Sequence, residues 1–384
     1  MTMELTPLDP SQLSTAAQRA LGPGPGRTMA SRGMMPLPPA DQVAVLYQLS
    51  LDADAMIAGA ARATASGLPD KLLAGTLADP TLDPRILHFF GERSVEKVPV
   101  FDAIALNPSV ADATLALLAG RGDARAVDLI ATNEQRLLRY PEIIAAMYMN
   151  RRARMSTIDR VVELAVRNHV RVPGLACWDE VARALTGGGH TTAKDDAIFE
   201  YAADSLAGAD DSALTTGDVD AEGEADESVD EQRLQTVKKV VEEKQIPISE
   251  MSVPAKIRLA TLGNAFARAT LIRDPVKLVS IAAIKSPGVT DLEAAAYARN
   301  QSLAEEVIRF IATRREWTKM YGVKVSLCRN PKTPIAEATK LLPFLREKDL
   351  VFLSKSKGVP SALVAQCRKL LMQRRGAGDK KPGR

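Results

Sequence analysis

Three histidines and three cysteines are the residues best suited to acid–base, nucleophilic or metal chemistry, and their spacing assembles none of it. His88 lies in the apolar run RILHFF, which places it beside a core. His169 lies in a basic stretch, RNHVRV, and reads as a helix-end or solvent-facing residue. His190 follows Gly187-Gly188-Gly189 in a loop, the better place for a catalytic group, but no Ser, Cys or Asp is set beside it by local spacing. Cys177, Cys328 and Cys367 are far apart and odd in number, which gives neither a disulfide framework nor metal-type spacing. Such usage suits a reducing cytoplasm. Gly22, Gly24 and Gly26 superficially suggest a phosphate loop. No strand precedes them, no Lys-Ser/Thr ending follows, and Pro23 and Pro25 remove amide donors that such a loop needs. The expectation is a chain that is not an enzyme and has no cofactor, metal or catalytic site.

Binding residues are easier to find. The segment RREWTKMYG sets Trp317 among Arg314, Arg315 and Lys319, a combination that can anchor a protein partner or stack a nucleic-acid base. Arg151, Arg152 and Arg154 form the strongest basic run of the first half, among Arg136, Arg139, Arg160, Arg167 and Arg171. Arg309, Lys324, Arg329 and Lys332 accompany the second cluster. The plainer reading makes Trp317 a packing aromatic and the cations solvated helix faces. The expected partner is a protein. The alternative is nucleic acid, bound through the basic faces and the basic C-terminus.

Charge is distributed unevenly. The total is +3, yet Asp195–Gln232 holds 14 acidic residues and no Lys or Arg, so the rest carries +17. That acidic stretch is expected to be a flexible linker able to contact the basic parts of its own chain. Arg346–Arg384 carries 11 basic residues against three acids.

What must position these groups is helical. Apolar residues make up 46% but aromatics only 4%, and Ala and Leu replace β-branched runs, which favours an all-α chain. Short amphipathic segments are expected at Asp70–Leu77, Pro84–Phe90, Val95–Leu106, Val110–Ala119, Ala124–Ile130, Glu134–Arg139, Pro141–Met149 and Thr157–Val170. Small polar residues, often followed by proline, punctuate them: Asp79-Pro80, Asn107-Pro108, Ser286-Pro287 and Asn330-Pro331. Arg121-Gly122-Asp123 reads as one more inter-helix turn, with Asp123 as the cap. Cys177 and Val181 share a helical face, which makes CWDE a packing segment.

The segment 105–132 aligns with 283–313: Pro108 with Pro287, Val110 with Val289, Asp112 with Asp291, Ala131-Thr132 with Ala312-Thr313. Asn150 then matches Asn330. A helical period in the low forties resembles the HEAT and armadillo repeats. That resemblance implies two irregular α-solenoid-like modules, suited to a protein-interaction scaffold. The expected organisation is a disordered tail over 1–38, a module over 39–186, the acidic linker over 187–235, a second module over 236–375 and a basic tail over 376–384. The N-terminus lacks a cationic start and an apolar core, so it does not read as a secretory signal, and no run is long enough to span a membrane.

Overall fold

The computed structural model describes residues 3–207, 235–237 and 239–378, and among these every regular element is helical. The chain separates into two compact units, Met1–Leu175 and Ala176–Arg384.

The first unit contains α1 (Thr15–Leu21), α2 (Pro25–Ser31), α3 (Pro39–Ser50), α4 (Ala55–Gly67), α5 (Asp70–Leu77), α6 (Pro84–Arg93), α7 (Val98–Leu106), α8 (Asp112–Arg121), α9 (Ala124–Ile130), α10 (Glu134–Arg139), α11 (Glu142–Met149) and α12 (Met155–Arg167). The second contains α13 (Trp178–Thr186), α14 (Ala193–Ala207), α15 (Val253–Leu262), α16 (Ala265–Leu271), α17 (Lys277–Lys285), α18 (Asp291–Arg299), α19 (Glu305–Thr313), α20 (Arg315–Thr318), α21 (Tyr321–Arg329), α22 (Ile335–Leu341), α23 (Glu347–Lys355) and α24 (Ser361–Gly378). Isolated helices this short are marginal in water, so their stability comes from packing one apolar face.

The punctuation residues turn out to join one helix to another. Asn107, at the end of α7, donates its side-chain amide to the carbonyls of Leu77 and Asp79 at the end of α5, at 2.8 and 2.9 Å. Asn150 does the same from α11 to Ala119 and Gly122 at the end of α8, both at 2.8 Å. Asn330 does it from α21 to Ala298 and Asn300 at the end of α18. In each case the amide oxygen accepts the backbone N–H two residues on, from Ser109, Arg152 or Lys332. The carboxamide therefore satisfies helix-end carbonyls and shapes the following turn at once. These helices pack in the pairs α5–α7, α8–α11 and α18–α21. With their C-termini side by side, the paired helices run parallel. Ser286 holds the equivalent place between α17 and α15, its hydroxyl donating to Thr261 O at 3.2 Å. A hydroxyl has one hydrogen to give where an amide has two.

Basic side chains close other loops. Arg136 donates to the carbonyls of Pro108 and Val110, and Arg374 to those of Pro343 and Leu345. Lys332 donates to Leu303 O at 2.5 Å. In the second unit Arg268 and Glu293 form a buried bidentate pair at 3.0 and 2.9 Å. Glu293 also closes the capping box of α18 with Thr290.

Two expectations need correction. The tail over 1–38 was expected to be mostly disordered because Pro and Gly interrupt it, with a short helix around Ser11–Leu21, where α1 lies. Instead Pro25 occupies the first turn of α2, where no amide hydrogen is required, and Gly24 supplies the positive φ of 115° before it. Ala17 and Ala20 are fully buried, and Tyr47 Oη donates to Thr6 O at 2.6 Å. The second correction moves α13 out of the first module. It packs on α15 and α17, with Thr261 Oγ1 donating to Cys177 Sγ at 3.3 Å and Lys285 pairing with Glu180 at 2.8 Å. Most of the expected acidic linker, 208–234, and the tail beyond 378 lie outside the described residues. Within the expected linker span, Ala193–Ala207 is helical.

Candidate partner-binding surface

The surface begins with the amphipathic helix α19. Val307, Ile308, Ile311 and Ala312 face the core, Arg309 faces out, and Phe310 sits half-buried at the edge. Arg314 takes an extended conformation that ends α19 and opens the short α20. Its guanidinium carbon lies 4.8 Å from the centroid of the Phe310 ring. Trp317 meets the same ring edge-to-face, with centroids 6.1 Å apart and planes at 72°. Lys285 approaches it from α17, its ammonium 6.0 Å from the centroid. Phe310, Arg314 and Trp317 follow positions i, i+4 and i+7, a helical stripe that continues through the break.

The surface extends along the chain by the same pairing of cation and ring. Lys324 donates to Lys319 O at 2.9 Å and places its ammonium 5.7 Å from the exposed Phe344 ring. Arg346 lies over Tyr321 at 4.6 Å, and Arg329 over the exposed Phe352 at 4.4 Å. Asp349 joins Tyr321 and Arg329 into one network. Its carboxylate accepts from Tyr321 Oη at 2.5 Å and from Arg329 at 3.0 Å. Burial, and then the bond to Asp349, pushes the Tyr321 phenol above its usual range.

The expected binding residues divide sharply. Arg314, Arg315 and Lys319 are exposed, and among the described residues no carboxylate pairs with any of them. Arg151, Arg152 and Arg154 occupy the turn after Asn150, which corresponds to the turn after Asn330 and not to Arg314-Arg315. Arg154 is paired with Asp128 at 2.6 Å. The rest of the basic complement is largely occupied. Arg136 and Arg139 hold Asp112, Arg167 holds Glu163, Arg309 holds Glu305 and Lys332 holds Leu303 O.

Sequence reasoning missed Phe310, Lys285, Phe344 and Phe352. The period relating Phe310 to Arg314 and Trp317 was available. The approach of Lys285 was not, since it depends on how α17 packs against α19.

Of the groups with catalytic potential, His169 and His190 are exposed, and the others are buried. His88 is buried, its Nδ1 2.9 Å from Thr114 Oγ1, and burial lowers its pKa. All three cysteines are buried, and the Cys328 thiol is pushed up to about 12 by burial. Among the described residues no group of His, Cys, Asp or Glu is arranged to hold a metal ion. No described helix is long and apolar enough to cross a membrane. One open groove of about 650 Å³ lies in the first unit beside Leu13, Leu21 and Leu51, and Arg27 and Asp52, which also line it, are ion-paired at 2.6 Å. Compared with family models, curated proteins and solved structures, the chain matches none.

Proposed function

We propose that the chain is a non-enzymatic interaction scaffold of HEAT- or armadillo-like construction that captures a protein partner through the aromatic–cationic surface of its second unit. The carrying observation is the set Phe310, Arg314, Arg315, Trp317 and Lys319. Among the described residues its cations lack carboxylate partners, whereas Arg139, Arg154, Arg167 and Arg309 of the other basic clusters are ion-paired. Arginine and tryptophan beside an apolar ring are the residue types that dominate binding energy at protein interfaces. Parallel stacking of equivalent helices is the construction by which helical repeats present extended surfaces.

Nucleic-acid binding through a broad basic face is the weaker reading, because four of the cluster cations that would track a phosphate backbone, Arg139, Arg154, Arg167 and Arg309, are held by Asp112, Asp128, Glu163 and Glu305. Affinity capture with the full chain and with the double variant R314E/R315E, each with and without nuclease, tests the proposal. The expected result is a nuclease-resistant set of proteins held by the wild type and lost by the variant. An unchanged set of captured proteins overturns it.

A further inference from the structure

We infer that the element seated on this surface is an acidic peptide segment carrying an apolar side chain, with that side chain against Phe310 and Trp317 and its carboxylates on Arg314, Arg315 and Lys319. This rests on the preceding reading and names the chemistry of the partner.

The internal repeat supplies an independent line of support. The match of Ala131-Thr132 with Ala312-Thr313 sets Asn133 beside Arg314, Glu134 beside Arg315 and Arg136 beside Trp317. In the first unit that position is closed. Arg136 folds back onto the carbonyls of Pro108 and Val110 and pairs with Asp112, which also takes Arg139. Its side chain is only 14% exposed. In the second unit an indole stands there and cannot make those bonds, since its single donor cannot serve two carbonyls and a carboxylate. Trp317 is instead half-exposed on the Phe310 edge. The two copies of one structural position thus differ, a loop staple in one and an outward aromatic in the other, flanked by cations that no carboxylate pairs with among the described residues.

The composition of the patch decides between acidic ligands. Arg314, Arg315 and Lys319 span one turn and a half of chain, enough to meet a few carboxylates but not a long run of phosphates. Glu316, exposed between them, repels a uniform polyanion and tolerates a segment whose negative charge is interrupted. Arg314 already covers one face of the Phe310 ring, which removes a stacking platform for a base and leaves a ring edge for an aliphatic group. Lys285 is held by the buried Glu180, so it fixes the rim of the patch.

The chain carries its own reporter. Of its two tryptophans, Trp178 is buried and Trp317 is half-exposed, so a ligand at this patch changes the emission of Trp317. The full chain is titrated with three probes: a short Asp/Glu peptide with one central Leu, the same peptide with Ser in that place, and oligo(dT) of similar charge. The expected result is a blue shift with the Leu peptide, binding it at least about tenfold more tightly than the Ser peptide, and a further loss of about tenfold or more in R314E/R315E. Both substituted side chains are exposed, so unchanged circular dichroism and melting temperature are expected of that variant. Equal affinity for the two peptides, or tighter binding of oligo(dT), overturns the assignment of the ligand. If the peptides fail while lysate capture still depends on Arg314 and Arg315, the acidic-peptide assignment falls and the scaffold reading stands. If both fail, the scaffold reading falls with it.

Discussion

Asn330 donates its side-chain amide to Ala298 O at 2.9 Å, from the C-cap of one helix to the end of another 32 positions earlier in sequence. The contact is buried, and the same amide reaches Asn300 O at 3.3 Å. Asn107 and Asn150 make the corresponding bonds in the first unit. One short polar side chain therefore sets both the end of a helix and the neighbour against which that helix stacks.

Truncating this staple leaves buried carbonyls without donors. Asn330→Ala is expected to cost about 1–3 kcal/mol. Asn330→Asp should cost more, because it places a carboxylate oxygen against the carbonyls of Ala298 and Asn300. Urea denaturation of both variants checks the order, and an aspartate variant as stable as the alanine one would contradict the proposed geometry.

The buried Arg268–Glu293 pair makes a different prediction. Both side chains are nearly inaccessible, at 6% and 3%. Arg268→Met strands the Glu293 carboxylate and is expected to cost about 3–5 kcal/mol. Replacing both partners by apolar residues should recover part of the loss, because no charge then remains buried. A double-mutant cycle by chemical denaturation measures the recovery.

His88 introduces a pH dependence. Burial lowers its pKa below the ordinary 6.5, against the opposing pull of Glu92 and with a smaller push from Arg121 and Arg93. The unfolded chain therefore takes up this proton at a higher pH than the folded chain does. The His88 contribution to stability is fully present above about pH 6.5 and is lost as the pH falls through the lowered folded value. His88→Gln should flatten the stability–pH curve in that window. An unchanged slope would exclude His88 as its source.

Thiol reactivity follows burial. Cys177, Cys328 and Cys367 are all inaccessible, and burial raises the pKa of both Cys328 and Cys367. A thiol-exchange reagent at neutral pH should modify none of them in the folded chain and all three after denaturation. Rapid labelling of the native protein would show that the cores open on the timescale of the reaction.

Much of the fold was legible because helical signals are local. The cap at Asp123 and the stop before Asn150 depend on residues within one turn. The N-terminal region was misread for the converse reason. Its Pro and Gly residues resemble a broken chain until the burial of Ala17 and Ala20 is known. The placement of α13 turned on contacts with α15 and α17, more than 60 residues away in sequence, including Thr261 with Cys177 and Lys285 with Glu180.

By itself the sequence determined an all-helical chain, the recurrence of its turn residues, and the cluster Arg314-Arg315-Trp317-Lys319, because period, capping and charge are properties of neighbouring residues. Only the tertiary structure decided what those residues do. It showed Asn107, Asn150 and Asn330 tying each helix to the one it stacks on, and it separated cations such as Arg139 and Arg154, held by carboxylates, from Arg314, Arg315 and Lys319, which no carboxylate pairs with among the described residues. The physical reason is that ion pairing and desolvation depend on groups brought within a few ångströms by packing, and those partners lie tens of residues away along the chain.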